Sequence, residues 1–330
     1  MTFTNNWSRR GLMGAGLGFT LPGMAGAQVV TAQGAQQVVP DKEAGVRLAA
    51  RPDAADRLTV EVMINGRGPY RFVVDTAAER SILTEDIAAE LDLPRGPSVM
   101  VSGMAKRVPA ATVPVKELSF GPFRRTGLNL PVLPRSSVMA DGYLGLDAID
   151  GTRVTFDFAG GALRIEESAE VTRDHSATVT HVAAKGQGGF LRILDCRVDT
   201  VTAVAFIDTG AEVSVGNVSL MNALRARNPN LFAFANVTLT GVTGGEVTGP
   251  VIPAKRIRLQ NLGFRDGTLV IADVPDFAVW KTKYRPSLLI GMDYLRQFAS
   301  VTLDYRSRDI RFELSAAPPS PKPDVVIEQV

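Results

Sequence analysis

The sequence contains an internal repeat, and this repeat constrains the fold more than any other feature does. Residues Val73–Glu79 read VVDTAAE, and residues Phe206–Glu212 read FIDTGAE. In both segments two apolar residues lead into an aspartate, which is followed by a threonine and two small residues. A chain that carries this pattern twice is expected to fold as two similar units.

The repeat extends well beyond these two segments. Each half continues with an alternating run that ends at a glycine, which is typical of a hairpin tip. An apolar–Gly–apolar–Asp motif and a second alternating run follow. The matched segments are Val99–Gly103 with Val237–Gly241, Leu144–Asp147 with Ile290–Asp293, and Val154–Phe158 with Val301–Tyr305. The two halves therefore correspond over most of their length.

The residue pattern within each half indicates β-structure. Leu58–Ile64 and Arg192–Val198 read as strands, and helix is minor. The clearest helical stretches are Thr84–Leu91 and Asn217–Arg225, where the first residue can cap a helix. The sequence thus predicts an all-β fold of two tandem lobes with short helices. The predicted divisions are an export signal at 1–27, a poorly structured segment at 28–56, lobe 1 at 57–168, a connector at 169–189, lobe 2 at 190–314 and a Pro-rich tail at 315–330.

The N-terminal residues have the pattern of an export signal. Arg9 and Arg10 precede a weakly apolar stretch at 11–21, and the small residues Ala25–Ala27 follow. This order predicts cleavage before Gln28 and favours the twin-arginine route over general export. We therefore expect an exported protein, periplasmic or secreted. No later apolar stretch reaches the roughly 18 residues of a membrane span, so no stable membrane insertion is expected after cleavage.

Composition excludes several classes of site. The net charge is only +2 and the 36 Lys and Arg residues are scattered, so no nucleic-acid partner is expected. The single cysteine, Cys196, cannot form an internal disulfide. His175 and His181 both lie in the connector, where we expect them to be exposed, and they offer no metal-ligand spacing. No metal or other cofactor is predicted.

Several acidic residues recur in the repeat, and their context separates them. Asp75 and Asp208 directly follow apolar runs that are expected to be buried, where a charge is costly unless it has a task or a partner. The small residues after them let backbone N–H groups approach a carboxylate. The other repeated acids are assigned to solvent-facing strands (Asp157, Asp304, Glu166, Glu313), to caps of short closing helices (Asp147, Asp293) or to the surface near the site (Glu79, Glu212).

Over roughly Leu58–Leu314 the chain resembles the retropepsin-like and pepsin-like aspartic peptidases. The paired Asp-Thr motifs, the glycine-tipped hairpins and the late apolar–Gly motifs carry this resemblance. It implies two similar retropepsin-like closed β lobes in tandem, the bilobal acid-protease architecture, with Asp75 and Asp208 as the catalytic pair. It further implies active-loop support by Thr76, Ala77, Thr209 and Gly210, substrate-covering hairpins around Gly103 and Gly241, and Leu144-Gly145 and Ile290-Gly291 beneath the active loops.

The resemblance also implies a reaction. Two carboxyl groups about 3 Å apart share one proton, so the ionised member can activate water while the protonated member stabilises the developing oxyanion. The expected substrate is a peptide or protein. The expected state is a monomer with an internal pseudo-dimer.

One departure from the family motif leaves alternatives open. Asp208-Thr209-Gly210 has the complete triplet, whereas Ala77 stands at the glycine position of the first half. If this position needs a positive φ, alanine is strained there; if it is extended, little is lost. One alternative is therefore a non-catalytic periplasmic peptide-binding protein with a degenerate pair. Another makes each lobe half of a separate homodimeric site.

Overall fold

The structure is a computed structural model that describes residues 57–168, 176, 178–187 and 189–315, together with strands at 46–49, 51–52 and 326–329. The predicted export signal at 1–27 and the N-terminal part of the 28–56 segment lie outside the described residues. So do His175 and most of the Pro-rich tail.

In the part of the first half that the structure describes, the chain forms eleven strands and three short helices. They are β1 (Val46–Ala49), β2 (Arg51–Pro52), β3 (Leu58–Ile64), β4 (Arg67–Val74), β5 (Ile82–Thr84), α1 (Glu85–Glu90), β6 (Ser98–Ser102), β7 (Arg107–Phe120), β8 (Phe123–Leu133), α2 (Arg135–Val138), β9 (Gly142–Leu144), α3 (Leu146–Ile149), β10 (Thr152–Asp157) and β11 (Ala162–Glu167).

Among the described residues, the second half repeats this order and adds one strand, β23. Its elements are β12 (Val179–Ala183), β13 (Lys185–Gln187), β14 (Phe190–Val198), β15 (Val201–Ile207), β16 (Val215–Gly216), α4 (Val218–Arg227), β17 (Ala235–Thr240), β18 (Glu246–Leu259), β19 (Leu262–Ile271), α5 (Pro275–Val279), β20 (Ser287–Ile290), α6 (Met292–Leu295), β21 (Ser300–Asp304), β22 (Asp309–Glu313) and β23 (Val326–Gln329).

Each half contains one sheet with the same strand order. The order is β3-β4-β9-β5-β8-β7-β6 in the first half and β14-β15-β20-β16-β19-β18-β17 in the second. Strand β3 also pairs with β7, and β14 also pairs with β18, so each sheet closes on itself. The predicted all-β fold of two similar closed lobes is confirmed.

The strands that lead into the two aspartates are deeply buried. Strand β4 pairs in parallel with β9, and β15 pairs in parallel with β20. All residues of β9 and β20 are buried, as are the last three of β4. Strands that are covered on both faces have continuous apolar sequences, which explains the apolar runs before Asp75 and Asp208.

A third sheet joins the two halves. Its order is β1-β11-β10-β21-β22-β12, so three strands of the first half and three of the second lie side by side in one layer. At its centre β10 pairs antiparallel with β21, where Thr155 lies opposite Thr302 and their hydroxyl oxygens are 2.9 Å apart. Sequence patterns predict these strands but not that they pair across the halves.

Two segments that were expected to lack regular structure contain strands: β1 and β2 lie in the 28–56 segment, and β23 lies in the 315–330 tail. The prediction is wrong for these residues because β1 pairs with β11, β2 with β3 and β23 with β19. The 169–189 connector contributes β12, which pairs with β22, and β13, which pairs with β14. A strand that pairs with a sheet edge forms hydrogen bonds with its backbone N–H and C=O groups, and this pairing does not require an alternating apolar sequence.

Both predicted helices are present. Helix α4 begins after Asn217, whose side-chain oxygen accepts from the Leu220 backbone N–H at 2.8 Å, as expected of a capping residue. Helix α1 begins after Thr84, which makes no side-chain capping bond. Among the described residues, no helix combines the length and the apolar character that crossing a membrane requires.

Candidate active site

The two aspartates occupy equivalent loops at the ends of equivalent strands. Asp75 follows β4, and its backbone N–H donates to the carbonyl of Leu144 at 3.0 Å. Asp208 follows β15, and its backbone N–H donates to the carbonyl of Ile290 at 2.9 Å. Both side chains are buried, with Asp75 1% and Asp208 0% exposed. The central parallel pairing of each sheet thus fixes where each carboxyl group lies.

A reciprocal set of hydrogen bonds between Thr76 and Thr209 joins the two loops. The Thr76 backbone N–H donates to the Thr209 hydroxyl at 3.2 Å, and the Thr209 N–H donates to the Thr76 hydroxyl at 3.1 Å. Each hydroxyl then donates to a carbonyl of the opposite half, Thr76 to Ile207 at 3.0 Å and Thr209 to Val74 at 2.8 Å. The sequence-predicted pair of threonines therefore lies together and connects the loops directly.

Backbone N–H groups hold each carboxylate in place. Asp75 Oδ1 accepts from Ala77 N at 2.8 Å. Asp208 Oδ1 accepts from Gly210 N at 2.9 Å and from Ala211 N at 3.1 Å. Such bonds favour the ionised form of a carboxyl group.

The two carboxyl groups are close enough to affect each other. A Cβ atom added to Gly210 would lie 2.6 Å from Asp75 Oδ2, so the Asp75 carboxyl group lies directly against the Asp208 loop. Burial raises the pKa of Asp208 well above its ordinary value, and the negative charge of Asp75 raises this pKa further. Asp208 Oδ2 is buried and has no hydrogen-bond partner among the described residues. This is the arrangement of a coupled pair that retains a proton.

Ala77 fits its position without backbone strain. It is 5% exposed and is not among the residues with positive φ. Ala77 lies in the turn that follows Asp75. The positive φ considered for this position is therefore absent, and the remaining difference from Gly210 is the volume of one methyl group.

A serine and an aspartate support each loop from below. Ser81 donates to Asp147 Oδ1 through its hydroxyl at 2.6 Å and through its backbone N–H at 2.8 Å, and it accepts from Gly145 N at 3.0 Å. The second half repeats this set with Ser214, Asp293 and Gly291 at 2.7, 3.0 and 2.8 Å. Sequence reasoning gave the serines no role, although their recurrence in the repeat is a signal that could have identified them.

The predicted capping role of Asp147 and Asp293 is wrong. Gly145 and Gly291 are the N-cap residues of the short helices, and the two carboxylates bind the serines. Asp293 Oδ1 also accepts from the Tyr294 backbone N–H at 3.0 Å. Burial raises the pKa of Asp293 to about 6, against the lowering effect of its bonds with Ser214. The closing glycines pack against the active loops as expected, because a Cβ at Gly145 would lie 2.9 Å from the Ala78 carbonyl and one at Gly291 3.0 Å from that of Ala211.

The tips of the two hairpins meet each other. Thr243 Oγ1 donates to the Lys106 carbonyl at 3.0 Å. A Cβ at Gly241 would lie 2.6 Å from the backbone nitrogen of Met104. Met104 and Val242 are buried at 0% and 2% exposure. The structure therefore brings the regions of Gly103 and Gly241 into direct contact.

A cavity of about 300 Å³ lies between lobe 1 and the tip of the lobe 2 hairpin. Its walls come from the lobe 1 hairpin, the end of β8, helix α2 and the tip residues Val242 and Thr243, together with the charged residues Glu85 and Arg95. Val242 packs in a cluster whose other buried members all come from lobe 1, including Val101, Leu133 and Val138. The tip of the lobe 2 hairpin thus completes a lobe 1 pocket that has both apolar and charged walls.

The solvent exposure of several acids and of one histidine differs from the prediction. Asp304 is buried and pairs with Arg153 at 3.0 Å across the shared sheet, and Glu166 is also buried. His181 Nδ1 lies 2.7 Å from Asp309, and its ring is largely covered. These predictions are wrong because the third sheet covers surfaces that a separate lobe would expose. Cys196 is fully buried, and burial raises its thiol pKa.

Comparison with known proteins agrees with the geometry of the first lobe. Residues 60–148 match a family described as aspartyl protease. This region contains Asp75, Ala77, the lobe 1 hairpin and Asp147. The match therefore covers the half in which alanine stands at the glycine position of the triplet. No curated protein matches the chain. Among the described residues, no three His, Cys, Asp or Glu side chains converge in a way that could hold a metal ion.

Proposed function

We propose that the protein is an aspartic endopeptidase that hydrolyses peptide bonds with Asp75 and Asp208. The observation that carries this proposal is the buried pair itself: two equivalent loops, joined by the Thr76 and Thr209 bonds, set the Asp75 carboxyl group against the loop of Asp208. The aspartyl protease match of residues 60–148 supports the same chemistry.

In the proposed reaction the pair holds one proton. The ionised carboxylate removes a proton from water as that water attacks the peptide carbonyl, and the protonated carboxyl group donates to the oxygen on which negative charge develops. The resulting tetrahedral intermediate collapses as the nitrogen gains a proton, which releases an amine and a carboxylic acid. The raised pKa of Asp208 favours retention of the shared proton, and the proton belongs to the pair.

The decisive test is Asp208→Asn. We expect this nearly isosteric change to abolish cleavage of a diverse peptide library between about pH 3 and 8, because asparagine cannot carry the shared proton or a negative charge. Asp266→Asn is the matched control, since Asp266 is exposed at a positive φ that asparagine tolerates. Equal cleavage by wild type and Asp208→Asn would rule out the proposed chemistry.

A second function, peptide binding without cleavage, is favoured by one observation. Ala77 places a buried methyl group at the position where the other loop has Gly210. A shifted Asp208 carboxyl group could leave a closed cleft that binds peptides but does not hydrolyse them. If the wild type binds library peptides by calorimetry and neither it nor Ala77→Gly cleaves any of them, this second function is the correct one.

We also propose that the protein is exported and acts as a monomer. The residues that support export are Arg9, Arg10 and the Ala25–Ala27 site. Replacing both arginines by lysine should retain the precursor in the cytoplasm if export uses the twin-arginine route. Light scattering on the mature protein should give the mass of one chain, because one chain supplies both aspartate loops.

A further inference from the structure

Val242, at the tip of the lobe 2 hairpin, is buried in the opposite lobe. Its side chain is 2% exposed, and it packs in a cluster whose other buried members all belong to lobe 1. These members are Val73, Ile82, Val101, Ala110, Leu133, Val138, Ala140 and Tyr143, and together they form what we call the Val242 pocket. Met104, the counterpart of Val242 in the lobe 1 hairpin, lies in a different cluster. The pocket is therefore filled by the hairpin of the other lobe.

The floor of the Val242 pocket is the part of the sheet that leads to Asp75. Tyr143 of β9 pairs with Val73 of β4 on one side and with Ile82 of β5 on the other. Residues that pair across neighbouring strands point to the same face of a sheet, so these three side chains form one row. Asp75 follows Val73 by two residues, which is a distance of about 7 Å along an extended chain. The pocket therefore lies beside the first aspartate loop.

The chemistry of the Val242 pocket is that of an aliphatic side-chain site. Its only polar side-chain group is the hydroxyl of Tyr143, and this hydroxyl accepts a hydrogen bond from Arg57. The ring of Tyr143 then contributes apolar surface to the floor. The side chain that fills the pocket is a valine, which shows directly that the pocket accepts a branched aliphatic group.

Unfilled space remains next to Val242. The cavity of about 300 Å³ borders the pocket, because Ala110, Leu133 and Val242 line both. Glu85 and Arg95 also line the cavity, and both are exposed, so its charged walls face solvent. A side chain next to a void lacks packing contacts on that side. Val242 is therefore held less firmly than a residue of a closed core.

We propose that Val242 is an internal occupant of the pocket that receives a branched aliphatic side chain of the substrate, and that the substrate binds by displacing it. This inference rests on the proposed function. Burial of a valine side chain is worth about tenfold to a hundredfold in an equilibrium constant. The displaced state is then a minor state of the free protein. The apparent affinity for a substrate that needs the pocket is reduced by the fraction of this state.

The test uses pairs of peptides that differ only by valine or alanine at a residue next to the cleaved bond. For Val242→Ser we expect kcat/KM on the valine peptide to rise about tenfold, because a serine hydroxyl is unfavourable in an apolar pocket and leaves it open. The value for the alanine peptide should change by less than about twofold, since alanine needs little of the pocket. Val218→Ser, at a valine of helix α4 that is 42% exposed, is the matched control and should change neither value.

A purely structural role of Val242 predicts a different result. If Val242 only holds the hairpins together, its loss changes kcat/KM on both peptides by the same factor. Val242→Ile keeps a branched aliphatic group and should retain the wild-type ratio of the two peptides, whereas Val242→Ala should raise this ratio less than Val242→Ser does. Equal changes on both peptides, or a lower kcat/KM of Val242→Ser on the valine peptide alone, would overturn the inference.

Failure of this inference can be distinguished from failure of the proposed function. If the wild type cleaves none of the peptides, binding of the same pairs is measured by calorimetry, in which the proposed chemistry has no part. Tighter binding of the valine peptide by Val242→Ser, by about tenfold relative to wild type, then supports the inference although cleavage has failed. Equal affinity of the two proteins, or no binding by either, overturns it.

Discussion

Ala77 and Gly210 occupy equivalent positions but have different side-chain requirements. At Gly210 any Cβ would lie 2.6 Å from Asp75 Oδ2, so glycine is required there by contact and not by backbone angle. At Ala77 a buried methyl group is already present. The two carboxyl groups of the pair therefore have unequal surroundings.

We predict opposite effects of single changes at these positions. Gly210→Ala should lower kcat/KM by about a hundredfold or more, because displacement of a reacting group by about 1 Å can have this effect. Ala77→Gly should retain or increase kcat/KM. Steady-state kinetics on one peptide measures both, with circular dichroism as the control for folding. A Gly210→Ala enzyme of full activity would contradict the described contact.

The two threonines are predicted to support stability as well as geometry. Thr209→Val leaves the Val74 carbonyl and the Thr76 N–H without their partner in a buried site, and each unsatisfied group costs about 1–3 kcal/mol. We expect the free energy of unfolding in urea to fall by about 2–4 kcal/mol. Thr202→Val, at an exposed position of β15, should change it by less than about 0.5 kcal/mol. Similar losses in both variants would contradict this assignment.

At the scale of elements, the tips of the two hairpins are in contact. Under the proposed function the hairpins cover the aspartate pair, and a peptide then reaches the pair only after Met104 and Thr243 separate. A Cβ at Gly103 would lie 3.0 Å from the Thr243 Cβ, slightly less than the 3.5–4.5 Å of a disulfide. A small shift would allow a crosslink between two introduced cysteines.

We predict that the Gly103→Cys, Thr243→Cys double variant loses peptide cleavage on oxidation and regains it on reduction. The crosslink should hold the hairpins together and exclude the substrate. Each single variant is a control, and Cys196 should not interfere because it is fully buried. If the oxidised double variant cleaves as fast as the reduced one, substrate entry does not require the tips to separate.

The sequence predicts those elements that the repeat contains twice. A comparison of the two halves predicts the Asp-Thr triplets, the hairpin tips and the closing glycines. In the structure the two triplets contact each other, the two tips contact each other, and each closing glycine packs against the active loop of its own half. The pairing of β10 with β21 could not be predicted, because alternation identifies a strand but not its partner. Helix α2 contains serines and no acid where helix α5 contains Asp276, so a search for repeated acids could not find it.

At the scale of the whole molecule, buried acids determine how stability depends on pH. Asp208, Asp276 and Asp293 have pKa values raised by burial, to about 8 for Asp276 and about 6 for Asp293. The folded protein therefore keeps protons that the unfolded chain releases near the ordinary value of 3.8. The stability that these retained protons contribute is complete at a pH below this unfolded value. It is lost as the pH rises through the pKa values of the folded state.

We predict that the free energy of unfolding decreases between about pH 4 and 8. Each unit of pKa shift corresponds to about 1.4 kcal/mol, so the decrease should reach several kcal/mol. Asp276→Asn should flatten the upper part of this dependence, while Asp266→Asn, at an exposed position, should not. Urea denaturation at three pH values measures these differences. Parallel curves for Asp276→Asn and wild type would show that Asp276 titrates normally in the folded state.

The β10–β21 pairing has a consequence for how the two halves can change. If one half existed alone, two copies could pair through the same strand, and every substitution would then appear twice in the assembly. Because one chain supplies both halves, a mutation alters only one side. The alanine opposite a glycine is a difference of this kind. A peptide has a direction from its N-terminus to its C-terminus. A site whose two sides differ can therefore bind a peptide in one orientation only.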